Sequence, residues 1–196
     1  MSISFDFLQV LFWSITYVLV IIFNFRYKIA GLPIIAMTTN FAWETIALTH
    51  YGRAAHIVWF TLDFLIVITY FLFCKPMYLK HKFYCILLYL AELFIFHLAF
   101  HSGAMLLSSF IIDCTMAIEY LIYICKIGKS GDCGNRMLLI LICAAKLIGD
   151  LFAWLYYKEF HTVVLIIGII VFVANFCCLV LSIFRRNDTK ANNIHP

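Results

Sequence analysis

The sequence is poor in charge. Asp, Glu, Lys and Arg make up 12% of its 196 residues, against about 25% in an average soluble domain. That shortage excludes an aqueous globule, a disordered chain and a nucleic-acid-binding domain, all of which need more ionised side chains. Proline occurs three times, at Pro33, Pro76 and Pro196. None sits where it would break a helix at mid-membrane depth, the arrangement expected of a transporter. Glycine is sparse, with Gly149 and Gly168 alone at mid-span, and there is no glycine-rich phosphate loop. The 8 cysteines contain no C-x-x-C pair, so they read as small apolar packing residues rather than a disulfide or zinc framework. The last apolar run has no lysine, which removes the Schiff-base residue of a retinal protein.

What is present is apolar. The chain is 65% hydrophobic and 18% aromatic, with 20 phenylalanines. A membrane-crossing helix needs roughly 20 predominantly apolar residues. Seven segments qualify, at 5–25, 29–49, 55–73, 83–100, 103–125, 137–157 and 162–184. The expected fold is an all-α membrane protein, a compact seven-transmembrane-helix bundle over residues 1–184, with a polar cytoplasmic tail at 185–196. The first run lacks a basic n-region and a small-residue cleavage site, so it reads as the first span. All Lys and Arg residues except Arg53, Lys158 and the intramembrane Lys146 fall on one side of this arrangement. The positive-inside rule then puts the C-terminus in the cytoplasm and the N-terminus outside. The basic balance, a net charge of +4, is thereby a topology signal. The setting is a bacterial inner membrane or the endoplasmic reticulum.

Six of the 10 acids fall inside these spans: Glu44, Asp63, Glu92, Asp113, Glu119 and Asp150. A central intramembrane Asp costs about 2.5–3.5 kcal/mol on insertion scales. Such groups face the bundle interior and mark sites or pathways. Counting helical turns puts Glu44, Asp63 and Asp150 in the outer half, Glu92 and Asp113 near mid-depth and Glu119 deeper toward the cytoplasm, which suggests a polar chamber open on the outer side. A structural reading stands beside the functional one. Lys146 and Asp150 are spaced i, i+4 and can neutralise each other. Any single carboxylate can be an interhelical hydrogen-bonding strut. The chemistry that buried acids support is acid catalysis. A carboxyl group held away from water keeps its proton near neutrality and can pass it to an epoxide or alkene. Aromatic faces then stabilise the cation, and Trp43, Trp59 and Trp154 each lie within about a helical turn of an acid. The interfacial aromatic belt explains Trp154 and Trp59 equally well.

The string Asn40-Phe41-Ala42-Trp43-Glu44 resembles the N-[IF]-A-W-E stretch in the second helix of the fungal integral-membrane terpene cyclases (paspaline-cyclase-like) of meroterpenoid and indole-diterpene biosynthesis. His97-Leu98-Ala99 and Lys146-Leu147-Ile148-Gly149 are similar to weaker G-H-L-A and R-F-L-G stretches of the fourth and sixth helices. The resemblance implies a seven-helix cyclase in which Glu44 protonates the terminal epoxide of a prenylated substrate. The family's second acid, in its seventh helix, has no counterpart here, where Asn175 is the nearest polar candidate. Asp63 or Asp150 is expected to take its place.

The expectation is a proton-initiated terpene cyclase acting on a lipophilic isoprenoid drawn from the bilayer. Its catalytic acids would be Glu44, Asp63 and Asp150. Asn40, Trp43, Trp59, His97, Trp154 and Asn175 would line the substrate. No metal or cofactor is required, because protonation generates the cation; the sequence also has no D-D-x-x-D motif. The rivals are a zinc-dependent lipid hydrolase built on His97 and His101 with Glu92 or Asp113, and a small-molecule transporter or receptor.

Overall fold

The computed structural model describes residues 4–73, 79–130, 136–157 and 162–184. They form seven helices: α1 (Phe5–Tyr27), α2 (Ile34–Tyr51), α3 (Ala54–Phe73), α4 (Leu79–His101), α5 (Met105–Ser130), α6 (Arg136–Tyr157) and α7 (Thr162–Phe184). The expected tail at 185–196 and Lys158 lie outside the described residues. All helices but α2 are long and apolar enough to cross a membrane. Large apolar side chains face outward while charged ones are buried: Phe94 is 64% exposed and Glu44 is 3%. Only a hydrocarbon solvent makes that distribution favourable, and the protein is an all-α membrane bundle.

Local chemistry sets the helix ends. The Ser4 hydroxyl accepts a hydrogen bond from the Phe7 amide and caps α1. α2 begins at Ile34, five residues later than its apolar run suggests. Pro33 takes the N-cap position, where its lack of an N–H does no harm and its ring ends the preceding extended link. That link is held by Asn24, whose Oδ1 accepts from the Gly31 amide at 2.7 Å and whose Nδ2 donates to Thr69 Oγ1 at 2.7 Å. Gly52, with φ of 57°, ends α2 in the left-handed region and allows α3 to start at Ala54. α4 and α5 run longer than expected, because helix continues past the apolar core into the interfacial segments.

The seven elements pack as a ring, α1–α3–α2–α5–α7–α6 and back to α1, with α4 on the outside against α2 and α5. α2 combines polar side chains with shelter from lipid. Half of its 18 residues are buried, among them Thr38, Thr39, Asn40 and Glu44. α4 is tied to it by Thr39, which donates to Glu92 Oε1 at 2.5 Å.

α6 and α7 approach closely at Gly168. A Cβ built there would overlap the Trp154 indole. Gly168→Ala is therefore expected to destabilise the bundle by about 1–3 kcal/mol, the usual cost of an overpacked core site. Thermal unfolding in detergent checks this, and an unchanged midpoint would contradict it.

Candidate functional site

A cavity of about 260 Å³ lies inside the helix ring. Its wall is built by the first turns of α1 (Asp6 to Tyr17), the last turns of α2 (Asn40 to Tyr51), the start of α3 (Ala55 to Trp59), the start of α5 (Met105 to Asp113) and the end of α6 (Ala153, Tyr157). α4 and α7 contribute no lining residue. All five contributions sit at one end of the bundle. The exposed Arg53 and the partly exposed Asp6 mark the mouth. From Tyr51 to Asn40 the wall descends about 16 Å at 1.5 Å per helical residue, roughly half the hydrocarbon thickness.

Asn40, Trp43 and Glu44 all line this cavity. Their i, i+3, i+4 spacing turns them to one face of α2. Asn40 is doubly engaged: its Nδ2 donates to Tyr17 Oη at 2.7 Å and to Asp63 Oδ2 at 2.6 Å. Glu44 Oε2 lies 3.2 Å from His56 Nδ1. The His56 ring is enclosed by three aromatics, with centroids 5.7 Å from Trp43, 5.8 Å from Tyr51 and 5.9 Å from Trp59. Trp59 Nε1 donates to Ser14 Oγ at 3.3 Å, fixing that indole between α1 and α3. Trp13 and Tyr17, 5.5 Å apart, complete an aromatic wall from α1. Asp113 of α5 also faces the cavity and lies within electrostatic reach of Glu44, Lys146 and Asp150. The site therefore sets two acidic side chains, Glu44 and Asp113, among indole and phenol rings. Chemically, such a pair is able to donate and accept protons beside faces able to stabilise a cation.

The other expected site residues lie elsewhere. Asp63 does not line the cavity; its side of α3 turns to Asn40, behind the wall. Asp150 is likewise behind it. Its Oδ2 accepts from Lys146 Nζ at 2.6 Å and from Asn175 Nδ2 at 2.5 Å, drawing the group toward α7. Lys146 Nζ sits 4.6 Å from the ring of Trp13, which lines the cavity, while Lys146 itself does not. Trp154 packs on Gly168 at the α6–α7 contact. His97 is exposed on α4, 4.4 Å ring to ring from His101. It is His56, not His97, that stands beside an acid. Among the described residues no group of three His, Cys, Asp or Glu side chains is gathered as a metal site.

Sequence reasoning passed over His56, Trp13 and Tyr17. Each carried a signal. His56, Trp59 and Asp63 follow i, i+3, i+7 along α3, and Trp13 and Tyr17 are spaced i, i+4 in α1, so each set forms a stripe on one helix face. What no spacing revealed is that these stripes and the Asn40–Glu44 face meet. No protein-family model, no curated protein and no solved structure matches this chain.

Proposed function

We propose that the protein is a membrane-embedded, proton-initiated terpene cyclase. The observation that carries this reading is that Asn40, Trp43 and Glu44, the three polar or aromatic landmarks of the cyclase-like string, line one aromatic-walled cavity. By the positive-inside rule, the cavity end, where Arg53 lies, faces away from the cytoplasm, in a bacterial inner membrane or the endoplasmic reticulum. A lipophilic isoprenoid or prenylated substrate enters this cavity from the bilayer. The Glu44 carboxyl gives its proton to a terminal epoxide oxygen or alkene. In the epoxide case the C–O bond breaks toward the more substituted carbon as the next double bond closes on it. Trp13, Trp43 and Trp59 shield the migrating positive charge with their ring faces. The cascade ends when a carboxylate accepts the proton released with the final alkene, so one proton enters the substrate and one leaves it.

Asp63 and Asp150 are held in hydrogen bonds off the wall, and beside Glu44 Asp113 of α5 is the membrane-depth acid left on the cavity surface. We assign the accepting role to Asp113. Asp113→Asn is expected to lower the yield of cyclised product about 10²-fold, the scale of losing one positioned acid–base group, while Asp63→Asn acts chiefly on stability. Product analysis of both variants in the same membranes checks this. Equal activity losses, with equal folded amounts, would count against Asp113.

The direct test is expression in membranes supplied with prenylated aromatic and linear isoprenoid substrates, each with and without a terminal epoxide. The expected result is a cyclised product isomeric with the substrate. No product from any of them would overturn the proposal.

A further inference from the structure

Every turnover that starts with a proton from Glu44 leaves a carboxylate that must be reloaded before the next. Glu44 is 3% exposed, so water does not reach it freely. The group between it and the mouth is His56. Its Nδ1 lies 3.2 Å from Glu44 Oε2, and it is the one histidine among the lining residues of the cavity. Three aromatic rings hold the imidazole in that position. The charged groups facing it come from three elements: Glu44 from α2, Asp6 from α1, and Arg53 from the α2–α3 link. Tyr51, Tyr157 and Asp113 are the other titratable groups on the same wall, alongside Tyr17 at its floor. Imidazole takes a proton at one nitrogen and releases it at the other near neutral pH.

We propose that His56 is a proton relay that reloads Glu44 from water at the cavity mouth. This rests on the reading of Glu44 as the acid, and it makes His56 a positioning residue that acts through Glu44 rather than on substrate. In the reloading step the Glu44 carboxylate takes the proton from His56 Nδ1. Nε2 takes one from water entering past Arg53, that water leaves as hydroxide, and a half-turn of the ring about its Cβ–Cγ bond then returns the protonated nitrogen to Glu44. The net change is one proton moved from water to Glu44, equal to the proton given to the substrate; no electrons are transferred.

The relay is testable without any substrate. Infrared spectroscopy of the purified protein in lipid nanodiscs reports the C=O band of protonated Glu44, identified as the band missing in Glu44→Gln. Transfer into deuterated buffer shifts that band at the rate at which the carboxyl exchanges. His56→Asn keeps an amide near the Nδ1 position but has no second nitrogen to pass a proton through. It is expected to slow exchange by about 10- to 100-fold, the scale of losing a positioned proton-transfer group, and added imidazole should restore part of the rate. His56→Gln serves as a second variant where His56→Asn does not fold. Exchange as fast as wild type in a folded variant overturns the relay, as does a wild-type protein with no protonated Glu44 band. In turnover, the first cycle of a preloaded enzyme should keep its rate while later cycles slow, so that kcat and KM fall together and kcat/KM is unchanged. A merely structural role would slow the first cycle equally. If wild type makes no cyclised product, the cyclase reading fails, and the exchange experiment still decides the relay.

Discussion

Glu44→Gln is expected to reduce cyclisation by about 10²- to 10⁴-fold, the range supplied by a positioned general acid, with the bundle intact. The substitution is nearly isosteric and its amide can still meet His56 Nδ1, which now stands 3.2 Å from Glu44 Oε2. It also removes an ionisable group from a site that is 3% exposed, so the folded state loses no partnered charge. What disappears is the transferable proton. Asp113, the other membrane-depth acid on the wall, approaches from α5 rather than from α2 and cannot take over the same geometry, since small displacements of an acid cost large factors in rate. Product formed per mole of folded protein is the measurement. Cyclisation by Glu44→Gln at the wild-type rate would show that the acid has been misassigned.

The largest effect on stability is expected from Lys146→Met. Lys146 and Asp150 are 6% and 5% exposed and their charged atoms are 2.6 Å apart. Removing the cation leaves a carboxylate with hydrogen bonds from neutral groups alone, Asn175 and the Trp13 indole, in surroundings that cannot hydrate it. Breaking a buried pair from one side costs about 3–5 kcal/mol, whereas replacing both partners with apolar residues of similar size is often neutral. Lys146→Met alone should therefore lower the thermal midpoint in detergent markedly. Lys146→Met combined with Asp150→Leu should recover most of the loss. Additive losses in the double variant would contradict the pairing. Cyclisation in a folded double variant should persist, because this pair lies beside Trp13 rather than on the cavity.

These two expectations divide the intramembrane charges into a working set and a structural set, and the sequence showed that division only in part. The Lys146–Asp150 pair was legible because i, i+4 spacing on one helix is a local relation that no neighbour can alter. The Asn40–Glu44 face was legible for the same reason. The positions of Asp63 and Asp113 were not. Both are mid-helix acids with a tryptophan or serine four residues before them, and nothing local separates them. Rotation of α3 turns Asp63 to Asn40, while rotation of α5 turns Asp113 to the cavity. α4 and α7 stay off the wall because the ring of contacts closes without α4 and because α7 presents Asn175 to α6. That leaves His97 and Asn175 off the cavity wall.

The amino-acid sequence by itself determined the solvent, the number of helices and the presence of buried acids. Hydrocarbon thickness demands long apolar runs, and an acid inside such a run is visible wherever it points. The tertiary structure decided which acids share a cavity, that His56 stands beside Glu44, and that Lys146 lies beside Trp13 and off the cavity wall. Those facts depend on the rotation of each helix about its own axis. Rotation is set by side-chain packing between helices distant in sequence, such as Gly168 against Trp154 and Asn24 against Thr69, and no periodicity within one helix encodes it.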